Sequence, residues 1–230
     1  MIKVILWDID GTVLNFLAQE EAAIRKCFEL FGLGECDDAM LNEYSTINAT
    51  YWPRMESGEL TKQQVLVQRF EEFFGKHDID TGLAEAFNEA YQKQLGETIV
   101  FNPNALSTIG ALKGKVIQCA STNGTVTAAH RKLSKSGLDQ ILDHLFISEE
   151  IGIEKPNIGF FEKIFAVLPD YQKDEFLIVG DSLTSDIKGG NNASILTCYY
   201  NPDHKTYRTD LRIDYEIDDL KDIISIIDEQ

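Results

Sequence analysis

From Asn102 onward, short apolar runs alternate with stretches of helical period, and no other feature restricts the fold as much. Val116–Ala120, Leu145–Ser148, Phe176–Val179 and Ile195–Tyr199 read as buried strands, with helical stretches at residues 104–113, 125–136, 159–168 and 184–193. Such repetition implies right-handed crossovers and a parallel sheet with helices on both faces. The opening run Ile2–Trp7 belongs to the same sheet: it is almost continuously apolar, as a strand buried on both faces is, and it stops at Asp8-Ile9-Asp10-Gly11-Thr12. Between this first strand and the alternating region, Phe16 to about Leu95 contains no convincing strand. Glu20–Phe31, Asp38–Trp52, Thr61–Phe74 and Gly82–Leu95 read as helices, with Thr61 and Gln64 spaced for a capping box. The tail, Asp210–Gln230, reads as an edge strand followed by an acidic amphipathic helix. The expected fold class is α/β: a Rossmann-like, doubly wound parallel sheet interrupted after its first strand by a helical insert.

Composition narrows the partners. The 230 residues are 43% hydrophobic, enough for one substantial core or for a core plus a smaller insert. With 21 Lys and Arg against 38 Asp and Glu, the formal charge is −17. Such a surface repels nucleic-acid backbones and anionic membranes, so neither is an expected partner, and a small anionic substrate needs local positive charge. Cys27, Cys36, Cys119 and Cys198 are widely spaced without a Cys-x-x-Cys pair, which fits a reducing compartment. No secretory pattern opens the chain and no apolar run approaches membrane-spanning length, so the expectation is a cytoplasmic protein, monomeric or homodimeric.

The chemistry stands where the strands end. In an open parallel sheet, ligands bind beyond the carboxyl ends of the strands. The first strand ends in Asp8 and Asp10; the second in Ser121-Thr122-Asn123-Gly124, a hydroxyl and a turn with free amides. Lys155-Pro156 follows the third, and Gly180-Asp181-Ser182 with Asp186 follows the fourth. Each alone has an ordinary explanation: a solvated turn, a surface lysine, a helix cap, a first-turn acid favoured by the dipole. Together, at successive strand ends, they collect four carboxylates around one ammonium. A divalent cation corrects that imbalance, and oxygen-only donors favour Mg2+ over zinc. His77, His130, His144 and His204 are scattered and read as ordinary surface or core residues.

These motifs resemble those of the haloacid dehalogenase-like hydrolase superfamily, along essentially the whole chain. Asp8-Ile9-Asp10-Gly11-Thr12-Val13 is similar to its first motif, Thr122-Asn123 to its second, Lys155-Pro156 to its third and Gly180-Asp181 with Asp186 to its fourth. The resemblance implies a core of residues 1–15 and 96–230 with a cap domain at 16–95. It implies that Asp8 attacks phosphorus to form an aspartyl-phosphate, while Asp10 protonates the leaving oxygen and then deprotonates water. It also implies Mg2+ held by Asp8, the main-chain carbonyl of Asp10 and Asp181, with Asp186 either supporting or ligating, and phosphate held by Thr122, Asn123 and Lys155. Asp10 argues against a 2-haloacid dehalogenase, which lacks that second acid; a sugar-phosphate mutase has both acids and is separated only by its cap.

Substrate choice belongs to the insert, because a lid over the site contacts the leaving group. Asn15-Phe16, the stretch Ile47 to Glu59, Gln68-Arg69-Phe70, Gly189 to Ala193 and Asn201-Pro202 are similar to the housekeeping pyrimidine 5′-nucleotidases of the superfamily. Two positions depart from that pattern: Gly11 replaces an acid and Ser194 a glycine. The resemblance implies a 5′-nucleotidase. Phe16, Tyr51 and Trp52 are candidates to stack on a base, and Asn48 or Arg69 to read its edge; the alternative for these aromatics is the core of the insert itself. Arg54 and Arg69 are equally compatible with surface ion pairs. Other outcomes are a phosphatase for phosphoglycolate, flavin mononucleotide or a sugar phosphate, a phosphomutase, or a non-catalytic phospholigand-binding protein. Gly110 to Lys115 is too short for a P-loop, and no Gly-x-Ser-x-Gly elbow occurs.

Overall fold

The computed structural model describes residues 1–229, so Gln230 at the end of the expected tail helix lies outside the described residues. Strand β1 (Val4–Trp7) is buried throughout. It is followed by four helices, α1 (Phe16–Phe31), α2 (Asp38–Glu56), α3 (Lys62–Lys76) and α4 (Ala84–Leu95). The chain then alternates: α5 (Ala105–Leu112), β2 (Ile117–Thr122), α6 (Val126–Ser136), β3 (His144–Ile147), α7 (Ser148–Ile151), α8 (Ile158–Val167) and β4 (Phe176–Gly180). It finishes with α9 (Lys188–Ala193), β5 (Leu196–Tyr200), β6 (Tyr215–Ile217) and α10 (Asp222–Asp228). All neighbouring strands run parallel, in the order β3-β2-β1-β4-β5-β6. Sequence order reverses direction beside β1, which opens a crevice at the carboxyl ends of β1, β2 and β4.

Period-two alternation assigns the two faces of the sheet. Ile5 and Trp7 of β1 point to one face, packed with Ile109 of α5, Leu133 of α6 and Ile223 of α10. Val4 and Leu6 point to the other, packed with Phe160, Phe161 and Ile164 of α8. The Trp7 indole, buried in the first layer, donates to Gln118 Oε1 at 3.1 Å, so its one polar atom is satisfied.

The four helices between β1 and β2 have an aromatic core of their own: Phe28, Tyr44, Phe70, Phe73, Phe74, Phe87 and Tyr91. Tyr44 and Phe70 stack with centroids 5.1 Å apart, and Phe70 meets Phe87 edge-on at 5.0 Å; such pairs contribute roughly 0.5–1.5 kcal/mol each beyond burial. Helix α1 is capped by Asn15 Oδ1, which accepts from the Ala18 N–H at 3.1 Å, and α3 begins with the expected Thr61–Gln64 capping box. One expectation is corrected. The expected helix at 184–193 opens as a π-turn over Leu183–Ile187, because Ser182 and Asp186 together tie its first turn.

Candidate active site

The strand ends converge as the topology requires. Asp8 leaves β1, and the Asp8 N–H still bonds to Val179 O at 2.9 Å, so the two segments bearing Asp8 and Asp181 advance side by side. Carboxylate oxygens of Asp8, Asp181 and Asp186 all lie within 4.8 Å of one another. The Thr12 hydroxyl sits between two of them, 3.3 Å from Asp8 Oδ2 and 3.2 Å from Asp181 Oδ1. Two glycines make the approach possible. A Cβ on Gly180 would stand 2.2 Å from the Asp186 carboxyl carbon. Gly11 has φ +97°, and a Cβ there would stand 2.5 Å from Asp181 Oδ2, so glycine leaves this turn room for the Asp181 carboxylate.

Lys155 is the cation of this cluster. Its Nζ is buried and donates to Asp8 Oδ1 (2.9 Å), Asp186 Oδ1 (2.7 Å) and Ser121 O (2.6 Å). Burial works against the ammonium, but Asp186 and Asp8 together hold its pKa above the ordinary lysine range. The acids show the opposite strain. Burial first, then Asp186, push Asp8 well above the usual carboxylate range despite Lys155. Burial and Asp186 likewise push Asp181 up to about 7, although its carboxylate opens into the cavity. Three clustered carboxylates with one ammonium are short of positive charge, and their donors are all oxygen. That set suits a hard divalent cation.

Above the acids lies a cavity of about 290 Å³, near the lower end of the range for small-molecule sites. The core supplies its floor: Asp8, Asp10, Thr122, Asn123, Asp181 and Asp186. The helical insert supplies the roof, with Phe16, Glu20, Asn48, Trp52 and Arg69 among its linings. Thr122 Oγ1 accepts from the Gly124 N–H at 2.9 Å and lies 3.5 Å from Asp10 Oδ2. The Asn123 side chain is otherwise engaged than as a free donor to phosphate. Its amide donates to Lys155 O (2.9 Å) and Ser185 Oγ (3.3 Å), and its oxygen accepts from the Lys155 N–H (2.9 Å), so it fixes the lysine loop. Lys155 itself lies beneath the cavity lining, behind the acids.

The roof is a connected polar network. Asn48 Oδ1 accepts from Trp52 Nε1 (3.1 Å) and Arg69 Nη1 (2.7 Å), while Asn48 Nδ2 donates to Glu20 (2.6 Å). Arg69 is buried rather than on the surface, stacked 5.2 Å from the Tyr91 ring. Arg54, by contrast, pairs with Glu59 on the exterior. Tyr51 does not reach the cavity. It lies on the α2 face shared by Tyr44, Ile47 and Met55, and its hydroxyl meets Glu72 at 3.0 Å. Helical spacing put it in the core of the insert, so the stacking role expected of it is withdrawn.

Three charged residues in the cavity wall escaped the sequence reading. Lys132 of α6 donates through Nζ to Asp10 Oδ1. Glu20 of α1 is a buried carboxylate receiving Ser45 Oγ, Asn48 Nδ2 and the Tyr91 hydroxyl, its pKa raised by burial. Glu56 accepts from Thr184 Oγ1 at 2.5 Å, and burial pushes it up to about 7. A signal existed for the first two. Lys132 shares the buried face of α6 with Ala128, Ala129 and Leu133, and Glu20 that of α1 with Ala23, Ile24 and Cys27. A charge on an otherwise apolar face asks for a buried partner. Insert and core also touch through Lys62 Nζ, which donates to Gly124 O (3.0 Å) and Ser148 Oγ (3.2 Å).

Comparison with known proteins places this arrangement. The sequence model of a hydrolase family, haloacid dehalogenase-like hydrolase, matches residues 2–194. The chain is 33% identical over 227 residues to the HAD-hydrolase YfnB of Bacillus subtilis, covering 98% of this chain and 95% of YfnB. It is 31% identical over 229 residues to the pyrimidine 5′-nucleotidase PynA of Streptococcus pneumoniae, covering 98% and 95% of the two chains. A crystal structure of YfnB bound to magnesium superposes with a TM-score of 0.91 at 32% identity, over 98% of each chain. The fold is shared more widely: L-2-haloacid dehalogenase from Xanthobacter autotrophicus reaches a TM-score of 0.77 at 15% identity, over 99% of each chain. Matched over most of its length by the family model, and along nearly all of it by YfnB and PynA, the chain belongs to the haloacid dehalogenase-like hydrolases.

Proposed function

We propose that this protein is a Mg2+-dependent phosphomonoesterase acting through an aspartyl-phosphate on Asp8, with pyrimidine nucleoside 5′-monophosphates as its substrates. The observation that carries the reading is the convergence of Asp8, Asp181 and Asp186 on one another and on the buried Lys155 ammonium, beneath a cavity of small-molecule size. The nucleotide assignment is supported by likeness to PynA, a pyrimidine 5′-nucleotidase. In this reading residues 16–95 are the cap, residues 1–15 and 96–230 the catalytic core, and the enzyme works in the cytoplasm, where four buried free thiols stay reduced.

The residues divide the work. An Asp8 oxygen forms a bond to phosphorus as the ester P–O bond breaks, and Asp10 gives a proton to the departing oxygen. Water then attacks phosphorus, its proton passes to Asp10, and the bond from Asp8 to phosphorus breaks. Lys155 and the Thr122 hydroxyl offset the charge that gathers on the phosphoryl oxygens. Asp8, Asp181 and the Asp10 carbonyl would hold the metal, with Asp186 beside it bound to Lys155 and to the Ser182 N–H (3.2 Å). Bound magnesium supplies the charge neutralisation that lets one anion approach another. In the cap, Phe16 and Trp52, which line the cavity, would cover the base, and the Asn48–Arg69 pair would meet its edge.

The test is kcat/KM for UMP, dUMP, dTMP, IMP, phosphoglycolate, flavin mononucleotide and a hexose phosphate, each with Mg2+ and with chelator. Pyrimidine nucleotides should lead by at least about tenfold, a pocket-scale discrimination, and only with metal. No preference over phosphoglycolate would remove the nucleotidase assignment and keep the phosphatase. Binding of nucleotide without turnover would remove both.

A further inference from the structure

Each acid of the Asp8–Asp10 pair has a lysine of its own. Lys155 serves Asp8. Lys132 serves Asp10: its side chain is 2% exposed, it lines the cavity, and its Nζ donates to Asp10 Oδ1. The Phe16 ring covers the ammonium, its centroid 5.3 Å from Nζ. The other Asp10 oxygen, Oδ2, lies 3.5 Å from Thr122 Oγ1, and both residues line the cavity. Asp10 itself is only partly buried and lies past the end of β1, in an isolated bridge with Leu14. A lysine on the inner face of an amphipathic helix is costly, and alanine or leucine would pack there without that cost. Its contacts leave it one polar task among the described residues, the Asp10 carboxylate.

We propose that Lys132 is a positioning residue: by holding Asp10 Oδ1 it keeps Oδ2 turned toward the oxygen that bridges phosphorus and leaving group. The inference rests on the phosphatase reading of the site. In the first step the bond from Asp8 to phosphorus forms, the ester P–O bond breaks, and the proton on Asp10 Oδ2 moves to the departing oxygen. In the second the bond from water to phosphorus forms, the bond from Asp8 to phosphorus breaks, and a water proton returns to Oδ2. Lys132 exchanges no proton and meets neither phosphorus nor leaving group; its whole effect passes through Asp10. Because Phe16 is the first residue of α1, the same contact ties the orientation of Asp10 to the seating of the insert.

Leaving-group chemistry separates this from a structural role. A nucleoside 5′-alkoxide must be protonated as it departs, whereas dinitrophenolate leaves without a proton. Lys132→Met should therefore lower kcat/KM on UMP by about 100-fold, the lower end of the range for general acid catalysis, and on dinitrophenyl phosphate by less than about fivefold. Lys132→Arg should recover most of the UMP activity. Adding Lys132→Met to Asp10→Asn should cost nothing further on UMP, since both changes remove one function. Equal losses on the two esters, no loss on UMP, or additive losses in the double variant would overturn the proposal. Should the methionine variant fail to fold, Lys132→Gln carries the same comparison. Wild-type protein that cleaves the aryl ester but no nucleotide would count against the nucleotidase reading alone, and glycerol phosphate would then serve as the alkyl ester.

Discussion

Replacing Lys155 by methionine keeps a stem of similar length and removes the ammonium that Asp8 (2.9 Å) and Asp186 (2.7 Å) share. The residue is 1% exposed, so water cannot take its place. Breaking a buried ion pair from one side costs about 3–5 kcal/mol. In a chain of this size each kcal/mol moves Tm by roughly 2–4 °C, so the expected drop is about 6–20 °C at pH 8 in chelator. Its pH dependence follows from the acids left behind. Burial and Asp186 already raise Asp8 well above its usual range and take Asp181 from 3.8 up to about 7. A carboxyl whose folded pKa is raised contributes stability that is fully present below its unfolded value and is lost as pH rises through its folded value. Between about pH 4 and 7 the acids can therefore take up protons and relieve one another. The deficit of Lys155→Met should be largest at pH 8, smaller at pH 5, and narrowed at pH 8 by Mg2+, which replaces the missing charge. Differential scanning calorimetry of both proteins at the two pH values, with chelator or Mg2+, measures this. A deficit that ignores both pH and metal would show that the lysine matters by packing alone, and the charge account would fail.

Other perturbations address separate features. Asp181→Asn should raise Tm in chelator at pH 8 by about 2–5 °C, by removing one of three crowded carboxylates, and lower phosphatase activity at least about 100-fold; a fall in both would contradict the like-charge argument. Ser194 holds φ 60° and ψ 39°, the left-handed conformation that favours glycine. Relief of about 1–2 kcal/mol there exceeds the entropic cost of glycine, so Ser194→Gly should raise Tm by about 1–4 °C in thermal unfolding. Tyr51→Phe should leave the nucleotide KM within about twofold, whereas Trp52→Ala, at the cavity wall, should raise it about tenfold. The reverse order in steady-state kinetics would restore Tyr51 to the substrate site.

Much of the core was legible because two periodicities are hard to counterfeit. The apolar run through Trp7 could only be a strand buried on both faces, and a parallel sheet then had to gather Asp8, Thr122, Lys155 and Asp181 at one edge. The capping box at Thr61 was local chemistry, visible without the fold. The insert was harder. Helical spacing says which residues share a face, but not whether that face meets the aromatic core or the cavity. Asn48, Tyr51 and Trp52 lie within four residues, yet Trp52 lines the cavity and Tyr51 does not. Tyr44, Ile47, Tyr51 and Met55, spaced by three, four and four, formed the stripe that would have settled it. Counting charges by motif misjudged the site in another way. It found one ammonium where there are two, because Lys132 belongs to a helix face and not to a strand end. Asn123 fell at the right place, but its partners are set by a loop from the third crossover, which no local pattern reveals.

The central claim is that Asp8 is phosphorylated during turnover, and rapid quenching tests it most directly. Enzyme mixed with Mg2+ and a radiolabelled aryl phosphate, stopped in acid within one turnover and digested with protease, should carry the label on the peptide containing Asp8. The label should be absent in chelator and in Asp8→Asn. Turnover with no labelled peptide, or label on a residue other than Asp8, would contradict the account.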